Sequence, residues 1–224
     1  MSTTTMDAKT AILARARDAI SHSQQGRPVR PIPRDYIRST EHAPGSDAAI
    51  EEMIETLEDY SAQVVVVSTE SEVADAISKF LADQKATSVV VPTGLDEAFK
   101  EAAARDGRKV REDSREQAIP TLELDEIDAV VTRSRVAISL SGTIILDGEP
   151  DQGRRAISLV PDTHVVVLKA SDIVPTVPQA VEILGKNPTR PMTWIAGGSA
   201  TSDIELVRVN GVHGPRFLRV VIVK

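Results

Sequence analysis

Short continuous apolar runs alternate with amphipathic segments along most of this chain, and that alternation is what most constrains its fold. Val64–Val67 has no polar residue to give it a wet face, and a strand of that kind is buried on both sides. Thr69-Glu70-Ser71-Glu72 reads as a capping box ahead of Val73, Ala76, Ile77, Phe80 and Leu81, which share one helical face. Ser88–Val91 is a second buried strand. Leu95–Arg105 is a second helix with Gly107 at its C′ position, and Arg108–Arg111 is a third strand. Strand, helix, strand, helix, strand at this spacing predicts βαβ units, hence an α/β fold with a largely parallel sheet flanked by helices.

The second half continues with apolar strands at Ala129–Thr132, Val136–Leu140, Thr143–Leu146, His164–Leu168, Met192–Ile195 and Leu218–Val223, and a helix over Val177–Leu184. The density of strands from 129 to 168 predicts β-hairpins added to the parallel core. Ahead of the first strand, Ile50, Met53, Ile54 and Leu57 mark an amphipathic helix over 47–60, with Ser46 placed to cap it. Residues 7–20 carry helical spacing at Ala8, Ile12, Ala16 and Ile20. Residues 22–46 are rich in proline and polar groups and include Arg27, Arg30, Arg34 and Arg38. That stretch is either a solvated tether or an arm lying on another subunit or a partner. The expected organisation is a helical N-terminal extension with its arm over 1–46 and one α/β domain over 47–224.

Composition narrows the chemistry. The 224 residues contain no cysteine, so disulfides and thiolate-held iron–sulfur clusters have no ligands here. His22, His42, His164 and His213 are scattered, without zinc-site spacing. No metal and no cofactor is expected on this chain. The net charge of −7 argues against nucleic acid as a partner. The apolar runs fall far short of the ~20 residues that span a bilayer, and MSTTTMDAKT has no apolar h-region. A cytoplasmic protein is the expectation. No G-x-G-x-x-G follows the first strand, where the chain reads VVVVSTESEV, and there is no P-loop, which argues against a Rossmann-type dinucleotide site.

Three glycine-containing segments carry the candidate chemistry. Ser141-Gly142-Thr143 sits between two strands; it either offers amides and hydroxyls to an anion or is simply a tight turn. Gly197-Gly198-Ser199-Ala200-Thr201-Ser202-Asp203-Ile204-Glu205 follows a strand, where a parallel sheet would bind a ligand. Its Ser202–Glu205 part reads equally as a capping box that starts a helix. Gly211-Val212-His213-Gly214-Pro215-Arg216 precedes the last strand. His213 is the best general acid/base candidate, and Arg216 has the geometry to hold a carboxylate; a rigid loop with a hydrogen-bonded histidine is the other reading. His164, at the start of a strand, reads as a core-edge residue with its hydrogen bonds satisfied, and Trp194, within a strand, reads as core.

Taken together and in this order, AVVTRSRVAISLSGTIIL, RRAISLVPDTHVVVL, IAGGSATSDIE and GVHGPRFLRVVIV resemble the LUD domain of the lactate utilisation protein C family over roughly Ala129–Val223. IPRDYIRS in the arm resembles N-terminal segments of the same family. The resemblance implies a NagB/RpiA/CoA-transferase-like fold. It also implies a role in oxidising L-lactate to pyruvate, beside partner proteins that carry the iron–sulfur centres. The ligand site it implies comprises Ser141, Gly142, Thr143, Gly197, Gly198, Ser199, Thr201, Asp203, Glu205 and Arg216, with His213 the catalytic candidate. Two departures weaken a catalytic role: Leu140 stands where the family commonly has an acid, and Gly198-Ser199-Ala200 stands where it commonly has Pro-Ser and a base. The alternative is a stand-alone enzyme or binding protein for a small anionic or CoA-linked ligand, and an oligomer is compatible with either reading.

Overall fold

The computed structural model describes residues 7–24, 31–202, 208–211 and 213–224. The chain divides into two units between Tyr36 and Ile37. The described part of the first contains helix α1 (Ala8–Gln24). The second opens with residues 37–46, which belong to no helix or strand. That lead-in is tied down where Gly45 donates its N–H to the Ile173 carbonyl and Thr176 Oγ1 donates to the Arg38 carbonyl.

In the second unit the elements run α2 (Asp47–Asp59), β1 (Gln63–Val67), α3 (Glu70–Asp83), β2 (Ser88–Pro92), α4 (Glu97–Ala104), β3 (Lys109–Asp113), α5 (Thr121–Leu124), β4 (Ala129–Arg133), β5 (Val136–Ile138), β6 (Thr143–Leu146), β7 (Thr163–Lys169), β8 (Ile173–Val174), α6 (Val177–Leu184), β9 (Thr193–Ala196), β10 (Ala200–Ser202), β11 (Arg208–Asn210) and β12 (Phe217–Val223). The main sheet has six strands in the order β1-β12-β7-β4-β2-β3, all parallel. A second sheet of four strands, β8-β5-β6-β9, contains the expected hairpin β5–β6.

The central strands are buried on both faces, which is why they read as unbroken valine runs. Val165, Val167 and Val221 pack on Val73, Ile77 and Leu81 of α3 and Phe99 of α4. Their neighbours Val166, Leu168, Val220 and Ile222 pack on Ile50, Met53 and Leu57 of α2 and on the second sheet. This is the period of two expected for a pleated strand. Ser46 caps α2 by accepting from the Ala49 N–H at 3.3 Å, and Thr69 with Glu72 forms the predicted capping box of α3.

Two local expectations change. The C′ position of α4 is Asp106 (φ +59), one residue before Gly107. Ser61 (φ +62) and Lys85 (φ +56) occupy the equivalent left-handed positions after α2 and α3. Residues 200–202 form β10, paired antiparallel with β11; the Asp203–Glu205 part of the expected capping box lies outside the described residues. Among the described residues no helix is long and apolar enough to cross a membrane.

Candidate functional site

The glycine segments are brought together by α2 and the second sheet. Thr143 at the start of β6 pairs with Ala196 at the end of β9, so the Ser141–Thr143 turn lies beside the Gly197 loop. Gly142 takes φ +58, and a Cβ there would meet the Thr56 backbone of α2 at 3.0 Å. The same helix presses Tyr60 against Gly197. Thr56 Oγ1 donates to the Ser139 carbonyl at 2.9 Å, and Ser139 Oγ donates to Glu52 at 2.5 Å. Ser141 and Thr143 share a hydroxyl–hydroxyl hydrogen bond of 2.9 Å. The turn is thus built into the packing between α2 and the second sheet.

The second and third segments meet directly. The Ser199 N–H donates to the Pro215 carbonyl at 2.7 Å and the Gly211 N–H to the Ser199 carbonyl at 2.9 Å. The His213 N–H donates to Ser199 Oγ at 2.9 Å. Gly198 lies against the Arg216 carbonyl, where any Cβ would collide with it. The amides of Ser199, Gly211 and His213 are therefore used to tie the loops to each other.

Between the loops is a cavity of about 220 Å³ lined by Gly197, Gly198, Ser199, His213, Trp194 and His164, among others. Its volume is below the ~300–1,000 Å³ usual for ligand pockets, so it suits only a small occupant. His213 is exposed at its edge. His164 is fully buried, and burial lowers its pKa to about 4, so the ring is neutral near pH 7. Nε2 of His164 is 2.8 Å from Thr132 Oγ1, while Nδ1 is buried without a hydrogen-bond partner. The expectation of a satisfied core-edge histidine is thus corrected: one ring nitrogen is bonded and the other is not.

Trp194 also departs from expectation. It is 44% exposed and forms pocket wall, because β9 is an edge strand. For the same reason the Gly197 loop does not follow a strand of the parallel sheet, which was the premise for a ligand there. The cavity borders His164 and Leu218, which stand near the amino ends of β7 and β12. Arg216 turns away to pair with Asp162 at 3.3 Å and lines a separate hollow with it. Thr201 lies in β10, opposite Val209, whereas Asp203 and Glu205 lie outside the described residues. Sequence reasoning did not place Trp194 and His164 at the pocket, since strand patterns report burial and not which edge a strand occupies. Among the described residues no three His, Asp or Glu side chains come together as a metal-binding group.

The family model of the LUD domain matches residues 50–223. A Deinococcus radiodurans protein named lactate utilization protein C is 43% identical over 223 residues, covering 98% of this chain and 97% of that one. The chain belongs to the lactate utilisation protein C family. A Bacillus licheniformis protein of the same name is 28% identical over 81% of this chain and 82% of its own length. Among solved structures, a DUF162 family protein from Deinococcus radiodurans superposes with a TM-score of 0.66 at 39% identity, covering 79% of this chain and 97% of that one. The family match spans the whole sheet system, so the loops around the cavity belong to the LUD domain.

Proposed function

We propose that this LUD-domain protein takes part in the oxidation of L-lactate to pyruvate in the cytoplasm, as a component without an iron–sulfur cluster of its own that works beside cluster-bearing partner chains. The observation that carries this reading is the 43% identity, nearly end to end, with a protein named lactate utilization protein C. The lack of any cysteine in the 224 residues supports the division of labour. Within the reading, Gly197, Gly198 and Ser199 wall a pocket for a small ligand and His213 is its proton-transfer group. Ser141, Gly142 and Thr143 lie beside the Gly197 loop, Thr201 follows it in β10 and Arg216 lines a separate hollow; Asp203 and Glu205 lie outside the described residues.

Deleting the gene in its host and growing the strain on L-lactate as sole carbon source tests the role. Growth should fail and return with the intact gene; normal growth would count against the reading. Affinity capture of the tagged protein from lactate-grown cells tests the partners and should recover cysteine-rich chains. Reproducible recovery of the protein alone would favour the second reading, a stand-alone enzyme or binder for a small anionic or CoA-linked ligand. The cavity between the loops is the feature that favours that alternative.

A further inference from the structure

The carboxyl ends of the parallel strands hold a cavity of their own, away from the glycine segments. β2 ends at Pro92 and β4 at Arg133, and these strands are neighbours in the main sheet. From β2 the chain goes on to β3 at one edge, whereas β4 lies next to β7 on its other side. Such a divergence of connections is where open α/β sheets form a ligand crevice. Here the crevice has a volume of about 430 Å³, within the ~300–1,000 Å³ typical of small-molecule sites. The loop carrying Glu149 and Asp151 is drawn against the end of β2 at Gly94, whose N–H donates to the Pro150 carbonyl at 3.2 Å. A Cβ on Gly94 would approach the Pro150 backbone to 2.6 Å.

The charges in the crevice divide into committed and uncommitted groups. Arg133 is committed through Nε to Asp96 at 2.5 Å and through Nη2 to Glu70 at 3.1 Å, and only its buried Nη1 has no hydrogen-bond partner. Glu149 is committed to Arg190. Arg135 is held only loosely, 3.8 Å from Asp147, which Arg190 approaches more closely at 3.2 Å. Lys169, the last residue of β7, is exposed and has no ion pair among the described residues. Asp151 has a buried Oδ1 with no hydrogen-bond partner. Burial raises the pKa of Asp172, opposed by Lys169, Arg135 and Arg133. Burial raises that of Asp151 as well. Two available cations and two half-buried carboxyl groups therefore face one space.

We propose that this crevice binds a small hydroxylated organic anion, with its carboxylate or phosphate between Arg135 and Lys169 and a hydroxyl donated to Asp151 or Asp172. The class includes L-lactate, so the proposal deepens the lactate reading by naming a cavity that would take such an anion; it is read from binding to the isolated chain and can fail while the growth phenotype stands. Half-buried carboxyl groups suit a neutral hydroxyl donor better than a second full charge, because less charge has to be desolvated.

Calorimetric titration of the full chain with glycerate, glycerol 3-phosphate, propionate and L-alanine tests it. At least one of the first two should bind saturably, and the tighter identifies carboxylate or phosphate as the head group. Propionate, which lacks the hydroxyl, should bind about tenfold more weakly or worse, the scale of one charge-assisted hydrogen bond. Lys169→Glu should weaken binding at least as much without changing the melting temperature, and Ser199→Ala, in the other cavity, should leave binding unchanged. Lack of binding by both hydroxylated anions would overturn the proposal, as would undiminished affinity in Lys169→Glu. Propionate or L-alanine binding as tightly as glycerate would overturn the role given to the hydroxyl.

Discussion

The backbone N–H of His213 donates to Oγ of Ser199 at 2.9 Å, joining two loops that are 14 residues apart in the chain. Ser199 also exchanges backbone hydrogen bonds with Pro215 and Gly211, so it is the knot of the candidate site. Ser199→Ala removes the Oγ acceptor of the His213 N–H and should cost about 1 kcal/mol. Gly198→Ala should cost more, since its methyl group would collide with the Arg216 carbonyl. Urea unfolding checks the order of the two, and a Gly198→Ala protein as stable as wild type would show that the loops part readily.

His164 makes stability depend on pH in a defined direction. Burial lowers its folded pKa from 6.5 to about 4. Above pH 6.5 the ring is neutral in both states and has no effect. As pH falls from 6.5 towards 4, the unfolded chain takes up the proton first, and the native state loses up to roughly 3 kcal/mol. His164→Gln should lose less stability than wild type between pH 7 and pH 4.5, measured by urea unfolding at each pH. Parallel losses would mean that the ring is hydrated in the native protein.

Asp113, at the end of β3, is fully buried as a side chain and held by Arg154 through bonds of 2.8 and 2.6 Å. It also accepts the Ile119 N–H at 2.8 Å. Asp113→Ala leaves Arg154 without its carboxylate and the Ile119 N–H unbonded, and should cost about 3–5 kcal/mol. A thermal melt checks this; a loss below about 1 kcal/mol would place the pair in effectively aqueous surroundings.

Much of the domain was legible in the chain because its signals are local. Ser46 and Thr69 announce α2 and α3 through hydrogen bonds that span three residues. Ser88–Val91 announces a doubly buried strand because it contains almost nothing that water could solvate, whereas the equally apolar Val64–Val67 is not buried on both faces as expected: β1 is an edge strand and Val66 is 37% exposed. The three glycine segments were likewise visible as departures from apolar patterning.

Partner choice was not legible, because an apolar run reports that a strand is buried and not what lies beside it. The run before Gly197 looks like those of the parallel sheet, yet β9 pairs antiparallel with β6 in the second sheet. The last strand of the chain, β12, sits between the first, β1, and β7. These long-range pairings decide that His164 and His213 border one cavity while Arg216 turns towards Asp162. They also decide that Arg133 and Lys169 lie side by side at the carboxyl ends of neighbouring central strands, opposite the amino ends that border the first cavity. The sequence by itself determined most of the elements, the N-caps of α2 and α3 and the α/β class, all of which depend on neighbours a few residues away. Only the tertiary structure decided which edges meet, because pairing depends on which distant surfaces bury each other best once the chain has collapsed.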